Sequence, residues 1–348
     1  MMKRIAVEEA FVTQEIADEW ANVIATGAKN EPGFRKMGET ILADSPGTRI
    51  IHERLIDLGA GRIAHMDATG IDIQVISITS PGVQVFEPEL ATTLARQAND
   101  QLSEAIKNHP DRFAGLAAVA PQSPQTAALE IERAIQKLGL CGVLINSHTG
   151  GEYLDDQKYW EIFAAAEANS APIYLHPRTP SPEMISPFLD YGLYFAGWGF
   201  TVETATHGLR LIMGGVFDHF PKLTIVLGHM GEGLPYWLQR LDNRYSLQVE
   251  IGAVPKMPRL PSEYFKDHFL ITTSGVCSPP ALRHVLEVLG SDAVLFAADY
   301  PYESVEEAVS FLDNAPISDQ ERRKIYQTNA EKLFRLGSTN GSNDTLFA

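Results

Sequence analysis

Cysteine is scarce: the chain has two in 348 residues, Cys141 and Cys277, each inside an apolar run. So few cannot build a disulfide framework, and they point to a reducing compartment. Basic residues are also in short supply, 28 Lys and Arg against 44 Asp and Glu, for a formal net charge of −16. A chain this acidic lacks the basic patches that nucleic acid or an anionic membrane surface requires. A small anionic substrate is not excluded, because a metal or a local arginine reverses the sign inside a pocket. No apolar run approaches the ~18 residues of a transmembrane helix, and MMKRIAVEEAF holds no apolar signal-peptide core. These absences predict a cytoplasmic protein with no membrane partner. A G-x-G-x-x-G after an early strand is also missing, which weakens an open doubly wound sheet as the fold.

Short, apolar, β-branched segments are plentiful. They fall at 4–10, 73–79, 115–121, 142–147, 172–177, 223–230, 269–275 and 293–301. Most are continuously apolar rather than alternating, as strands covered on both faces are. Helical spacing fills 89–109, 126–139, 159–169, 201–220, 280–290 and 317–336. Ser123-Pro124 opens one of these helices, and Gly139 and Gly290 close two others. Strands alternating with helices in this way predict an α/β fold, a distorted (β/α)8 TIM barrel forming one domain over 1–337. Residues 11–72, helical at 12–27 and 49–70 with a Gly/Pro-rich stretch between, make an insertion too long for a βα connection. Residues 177–200, rich in Pro and aromatics, form a second insertion. Both are expected over the barrel mouth, and 338–348 is a polar tail.

Barrel chemistry sits at the C-terminal ends of the strands. Those ends carry Glu8, Thr79, Asn146, His176, His229, Thr273 or Ser274, and Asp299. Glu8, His176 and Asp299 end strands one, five and eight. Around one opening they suit a three-point cage for a divalent cation. Singly, each has a plainer role: a strand-end Glu caps a helix or pairs with Arg, and a strand-end Asp serves as an N-cap. GHMGEGLPY (228–236) ends strand six and enters a helix; His229 there is an acid, base or ligand, and Glu232 is close enough to orient it. Arg178 offers either a fork to a substrate carboxylate or an internal salt bridge. Tyr302, after the DYP turn, is placed to line the pocket with its ring. Alternation along RIAVEEAF points Glu9 away from Glu8 and Ala10 the same way as Glu8.

Glu8, YLHPR, LGHMGEGLPYW, ITTSG and DYPYES together resemble the amidohydrolase superfamily, in its non-hydrolytic hydroxybenzoate decarboxylase branch, over residues 3–337. The resemblance implies one divalent metal in the barrel mouth, held by Glu8, His176 and Asp299, with no organic cofactor. It implies Asp299 as proton donor, with His229 and Glu232 at the family's active-site His and Glu; Arg178, Tyr302 and Thr79, by their own positions near the strand ends, are expected to contact a small aromatic carboxylate. Many relatives have a metal-binding His where this chain has Ala10, and strand four ends VLINSH without the Lys of binuclear hydrolases. Two oxygen ligands and one nitrogen favour Mg2+ or Mn2+, with Zn2+ possible. The implied reaction is decarboxylation of an ortho-hydroxybenzoate, 2,3-dihydroxybenzoate to catechol and CO2 first among them. The alternatives are a mononuclear metal hydrolase of a lactone or amide, and a non-catalytic barrel. The resemblance also implies a homo-oligomer, a tetramer or a dimer.

Overall fold

The structure is a computed structural model that describes residues 2–41 and 43–337; the expected tail lies outside them. Eight parallel strands pair in sequence order: β1 Ile5–Phe11, β2 Ile73–Ile78, β3 Phe113–Ala118, β4 Gly142–Asn146, β5 Ile173–His176, β6 Ile225–Leu227, β7 Phe269–Thr272 and β8 Val294–Leu295. Helices alternate with them, giving the expected α/β barrel. Ser123 and Pro124 start the helix Pro124–Lys137, with Gly139 just past its end at φ 74°. Gly290 ends the helix Pro279–Leu289. Among the described residues no helix is long and apolar enough to cross a membrane.

Several elements differ from the reading of the sequence. The helix expected at 49–70 is two, Pro46–Ile56 and Ala60–Thr69. The Gly/Pro-rich stretch before it holds a further helix, Pro32–Ile41. Its glycines serve packing: a Cβ on Gly33 would meet Thr179 at 2.6 Å, and one on Gly38 would meet Ile24 at 2.1 Å. The insertion docks on loops at the C-terminal ends of the strands. Trp20 Nε1 donates to Gly82 O at 2.9 Å beyond β2, and Glu31 pairs with Arg178 beyond β5.

The seam between β8 and β1 is unusual. The register of β1 against β2 slips between Ala6 and Glu9, a bulge that sets Glu9 opposite Ile76 and Ala10 opposite Ser77. β8 leaves the ladder after Leu295. From there the chain is held piecemeal: Val7 N–H donates to Phe296 O at 3.1 Å and Ala10 N–H to Tyr300 O at 2.7 Å. Ala297 N–H donates to Thr273 Oγ1 at 3.1 Å, and Ala298 N–H to Glu9 Oε1 at 3.0 Å. A π-helical turn, Lys324–Thr328, releases the Ile325 carbonyl, which accepts Phe296 N–H at 3.0 Å. Scattered backbone bonds together with the side chains of Thr273 and Glu9 thus complete the barrel where regular strand pairing stops.

Candidate metal-centred active site

Glu8 is 2% exposed and points into the barrel. Its Oε2 accepts the hydroxyl of Tyr174 on β5 and, at 3.0 Å, that of Thr272 on β7. Its Oε1 is buried and has no hydrogen-bond partner among the described residues. Tyr174 shares a strand face with His176, two residues on. His176 Nδ1 lies 2.8 Å from Pro177 O, and a carbonyl only accepts, so the ring proton sits on Nδ1. That leaves Nε2 as a bare lone pair 3.6 Å from Glu8 Oε1. Two acceptors facing each other in a buried site repel unless a cation lies between them. A ring nitrogen whose partner N–H is fixed by a carbonyl is the usual setting of a metal-bound histidine.

His229 enters from an unexpected backbone. β6 stops at Leu227, and residues 229–233 all have positive φ: His229 51°, Met230 56°, Gly231 77°, Glu232 53° and Gly233 74°. The expected helix, Leu234–Glu250, starts only after this left-handed turn. Left-handed backbone costs a non-glycine residue roughly 1 kcal/mol or more, and such conformations cluster at functional sites. The turn puts His229 and Glu232 on one side, with Nδ1 2.8 Å from Glu232 Oε1. His229 Nε2 then lies 3.8 Å from Asp299 Oδ2, 4.0 Å from Glu8 Oε1 and 3.5 Å from Ser274 Oγ. Burial disfavours charge on this imidazole, but Glu232 first, then Glu8 and Asp299, outweigh it and hold its pKa well above the usual value. Asp299, itself at φ 63°, has its carboxyl raised by burial, partly offset by His229, with Glu8 adding to the rise.

The structure therefore brings Glu8, His176, His229, Glu232 and Asp299 around one opening. Among the described residues they do not close into a finished ligand cage. The donor set still fits a hard divalent ion: carboxylate oxygens from Glu8 and Asp299 and a preset Nε2 from His176. The local charge agrees, because Glu8, Glu232, Asp299 and Glu303 face two imidazoles. Burial and the Asp299 charge raise the Glu303 carboxyl as well. Such a mouth repels an anion unless a cation is bound in it.

Thr79 and Tyr302 share a hydrogen bond of 2.7 Å that joins the end of β2 to the loop after β8; the Tyr302 side remains exposed. Arg178 is a correction to the expected substrate fork. It is fully buried, pairs with Glu31 and donates to His148 O at 2.9 Å. Its Nη1 and Nη2 are taken by these contacts, which dock the insertion, while Nε is buried without a hydrogen-bond partner among the described residues. Tyr174, Thr272 and Gly228, which shape the seat of Glu8, lie inside the strings YLHPR, ITTSG and LGHMGEGLPYW but were not singled out as site residues. The clue to Tyr174 was its position two residues before His176 on a strand.

The amidohydrolase family profile matches residues 17–336. The gamma-resorcylate decarboxylase of a Polaromonas species is 36% identical over 347 residues, 97% of this chain and 99% of that one. A 5-carboxyvanillate decarboxylase from Novosphingobium aromaticivorans was solved with bound manganese and 3-methoxy-4-hydroxy-5-nitrobenzoic acid. It superposes with a TM-score of 0.94 at 44% identity, over 96% of this chain and 97% of that one. The 2,6-dihydroxybenzoate decarboxylase from Rhizobium superposes with a TM-score of 0.82 at 33% identity, over 97% and 99%. With strand-end acids and imidazoles in place around the barrel mouth, these similarities lead to one conclusion: the chain belongs to the amidohydrolase family, in its hydroxybenzoate decarboxylase branch.

Proposed function

We propose that this protein is a carboxy-lyase, a metal-dependent non-oxidative decarboxylase of an ortho-hydroxybenzoate. The observation that carries the reading is the pair of facing acceptors, Glu8 Oε1 and His176 Nε2, at 3.6 Å. Glu8, His176 and Asp299 would hold the ion. When bound, a divalent cation supplies the positive charge that anchors the substrate's carboxylate and neighbouring hydroxyl oxygen. Manganese in the Novosphingobium relative supports a hard ion of this kind.

The residues divide the remaining work. Asp299 delivers a proton to the ring carbon that bears the carboxylate, so that no bare aryl carbanion forms. The C–C bond then breaks, its electrons restore the aromatic ring, and CO2 leaves. Asp299 is left ionised. His229, kept cationic beside Glu232 and with Nε2 3.8 Å from Oδ2, returns a proton to it, and the imidazole takes its replacement proton from solvent at the open mouth. Thr79 and Tyr302 line the rim on the β2 side.

The ring we favour is 2,3-dihydroxybenzoate. Solved relatives acting on 5-carboxyvanillate are 42 and 44% identical to this chain, against 33% for a solved relative acting on 2,6-dihydroxybenzoate and 36 to 37% for gamma-resorcylate decarboxylases, named for the same acid. A 3-oxygen beside the reacting hydroxyl is common to 5-carboxyvanillate and 2,3-dihydroxybenzoate. The further carboxylate of 5-carboxyvanillate would need a cation, and Arg178 is committed to Glu31. The reading includes a homo-oligomer, to which the exposed Tyr191 and Trp198 of the 177–200 insertion lend apolar surface.

The test is direct. With Mn2+ or Mg2+ supplied, the protein is incubated with 2,3-dihydroxybenzoate, 2,6-dihydroxybenzoate, 5-carboxyvanillate and salicylate, and CO2 and phenol are followed. Release is expected, fastest from 2,3-dihydroxybenzoate, and Asp299→Asn should lower kcat by about 100-fold or more while folding normally. No CO2 from any of the four, or hydrolysis of a lactone or amide instead, refutes the proposal.

A further inference from the structure

Glu9 has no part in the proton path above. It lies on the opposite face of β1 from Glu8 and is fully buried. Its Oε1 accepts Ala298 N–H at 3.0 Å; its Oε2 accepts Tyr300 N–H at 3.2 Å and a Gln74 side-chain N–H at 3.4 Å. The two backbone amides flank Asp299. In a regular parallel barrel they would donate to carbonyls of the neighbouring strand. Here β8 has ended at Leu295 and β1 carries a bulge, and one carboxylate serves both amides.

This arrangement fixes Asp299. Its φ of 63° is uncommon outside glycine, though Asp adopts it more readily than most residues, and such a conformation at a site is held by the structure around it. Holding the amides at 298 and 300 holds the peptide planes on either side, and so the direction of the side chain between them. Ala10 N–H, bonded to Tyr300 O at 2.7 Å, adds a third tie from the same strand.

The clamp is backed by the first insertion. Arg62 is fully buried and donates from Nη1 to Gln74 Oε1 at 3.2 Å and from Nη2 to Ala10 O at 2.7 Å. Its Nε donates to Asp57 O at 2.7 Å, and its guanidinium carbon lies 4.8 Å from the centre of the Tyr300 ring. The cation thus touches Gln74, Ala10 and Tyr300, neighbours of the same carboxylate. A group that meets three N–H donors must be an acceptor throughout. A glutamine in its place would turn an N–H2 group toward an amide donor.

We infer that Glu9 is a positioning residue for Asp299: its carboxylate, seated on the Ala298 and Tyr300 amides and backed by Gln74 and Arg62, sets the left-handed turn that aims Asp299 into the barrel mouth. The inference rests on the decarboxylase reading for what Asp299 does there. The clamp itself stands on the hydrogen bonds.

Glu9→Gln tests it with three readouts: kcat and KM, the Mn2+ dissociation constant from free-Mn2+ electron resonance without substrate, and amide exchange across 296–302. Support from around a metal site typically contributes about 10–100-fold, so kcat should fall and the Mn2+ dissociation constant rise by about tenfold or more. KM should stay within about threefold, and exchange at 298 and 300 should quicken. A variant with wild-type kcat and Mn2+ affinity, even at lower Tm, overturns the inference, because a purely structural carboxylate behaves that way. If Glu9→Gln does not fold, Gln74→Met removes one donor and should lower kcat several-fold at constant KM; unchanged kcat overturns the inference equally. Wild-type protein that neither binds Mn2+ nor releases CO2 marks the failure of the decarboxylase reading. The clamp is then judged by exchange alone, and wild-type protection in Glu9→Gln refutes it.

Discussion

Ser147 lies within hydrogen-bonding distance of both His207 and Glu203, the three residue types of a nucleophilic triad, yet the protons run the wrong way for one. Leu154 N–H donates to His207 Nε2 at 3.0 Å, so that nitrogen is bare. Nδ1–H therefore donates to Ser147 Oγ at 3.1 Å, and the hydroxyl donates to Glu203 Oε1 at 3.1 Å. The imidazole gives a proton to the serine instead of taking one, so it cannot activate it. The set must stay neutral at His207, and burial, followed by the charge of Arg210, pushes that pKa down to about 3. In the unfolded chain a histidine titrates near pH 6.5, so between 6.5 and 3 the unfolded state binds a proton that the native state does not. Stability is complete above pH 6.5 and is lost as pH falls, by up to about 5 kcal/mol. His148, lowered by burial and by Arg178, acts in the same direction. Urea midpoints should therefore drop from pH 7 to pH 4, and His207→Gln should flatten the slope. Equal slopes in the two proteins would refute this assignment of the acid sensitivity.

At the scale of elements, the turn after β6 shows what a string of residues does and does not reveal. GHMGEG marks a site, and His229 with Glu232 three residues later reads as a pair on one side. A right-handed and a left-handed turn share that spacing, so the string cannot choose between them. The structure takes the left-handed one. At its entry Gly228 lies against Glu8, and a Cβ there would come within 2.9 Å of Oε1, 3.1 Å of Oε2 and 3.3 Å of Tyr174 Oη. The backbone at Gly228, φ −69°, is one that any residue adopts. Gly228→Ala is thus a steric probe without backbone strain. It should fold, displace the Glu8 carboxylate and weaken Mn2+ binding by about 10–100-fold, measured by metal titration. Wild-type affinity in that variant would mean that Glu8 does not hold the metal. The helix Pro32–Ile41 offers the complementary lesson. The sequence marked this stretch only as Gly/Pro-rich; its glycines sit where the helix meets Thr179 and Ile24, contacts that composition does not encode.

For the whole molecule, charge and stability meet in the barrel mouth. A chain of net charge −16 gathers buried carboxylates from β1, the turn after β6 and the loop after β8 at one point. A cation bound there relieves that repulsion in the folded state and has no equivalent site in the unfolded chain. At 100 times its dissociation constant it adds about 2.7 kcal/mol. For a chain of this length that is a rise in Tm of about 4 °C. Calorimetry with Mn2+ and with a chelator should show the rise and its reversal. No shift at saturating Mn2+ would refute a single tight site.

The order and type of the barrel's strands and helices followed from the sequence, because apolar period and strand length are local properties. So did the acids and imidazoles at strand ends, because a parallel barrel collects those ends at one face whatever lies between. The tertiary structure decided what depends on neighbours distant in the chain. It set the tautomer of His176, left Glu8 Oε1 facing it, and paired Arg178 with Glu31 from the first insertion. It also gave the two carboxylates of RIAVEEAF different work. Glu8 faces the mouth, while Glu9 closes the seam beneath Asp299, because β8 ends at Leu295 and the Ala298 and Tyr300 amides beyond it donate to the Glu9 carboxylate.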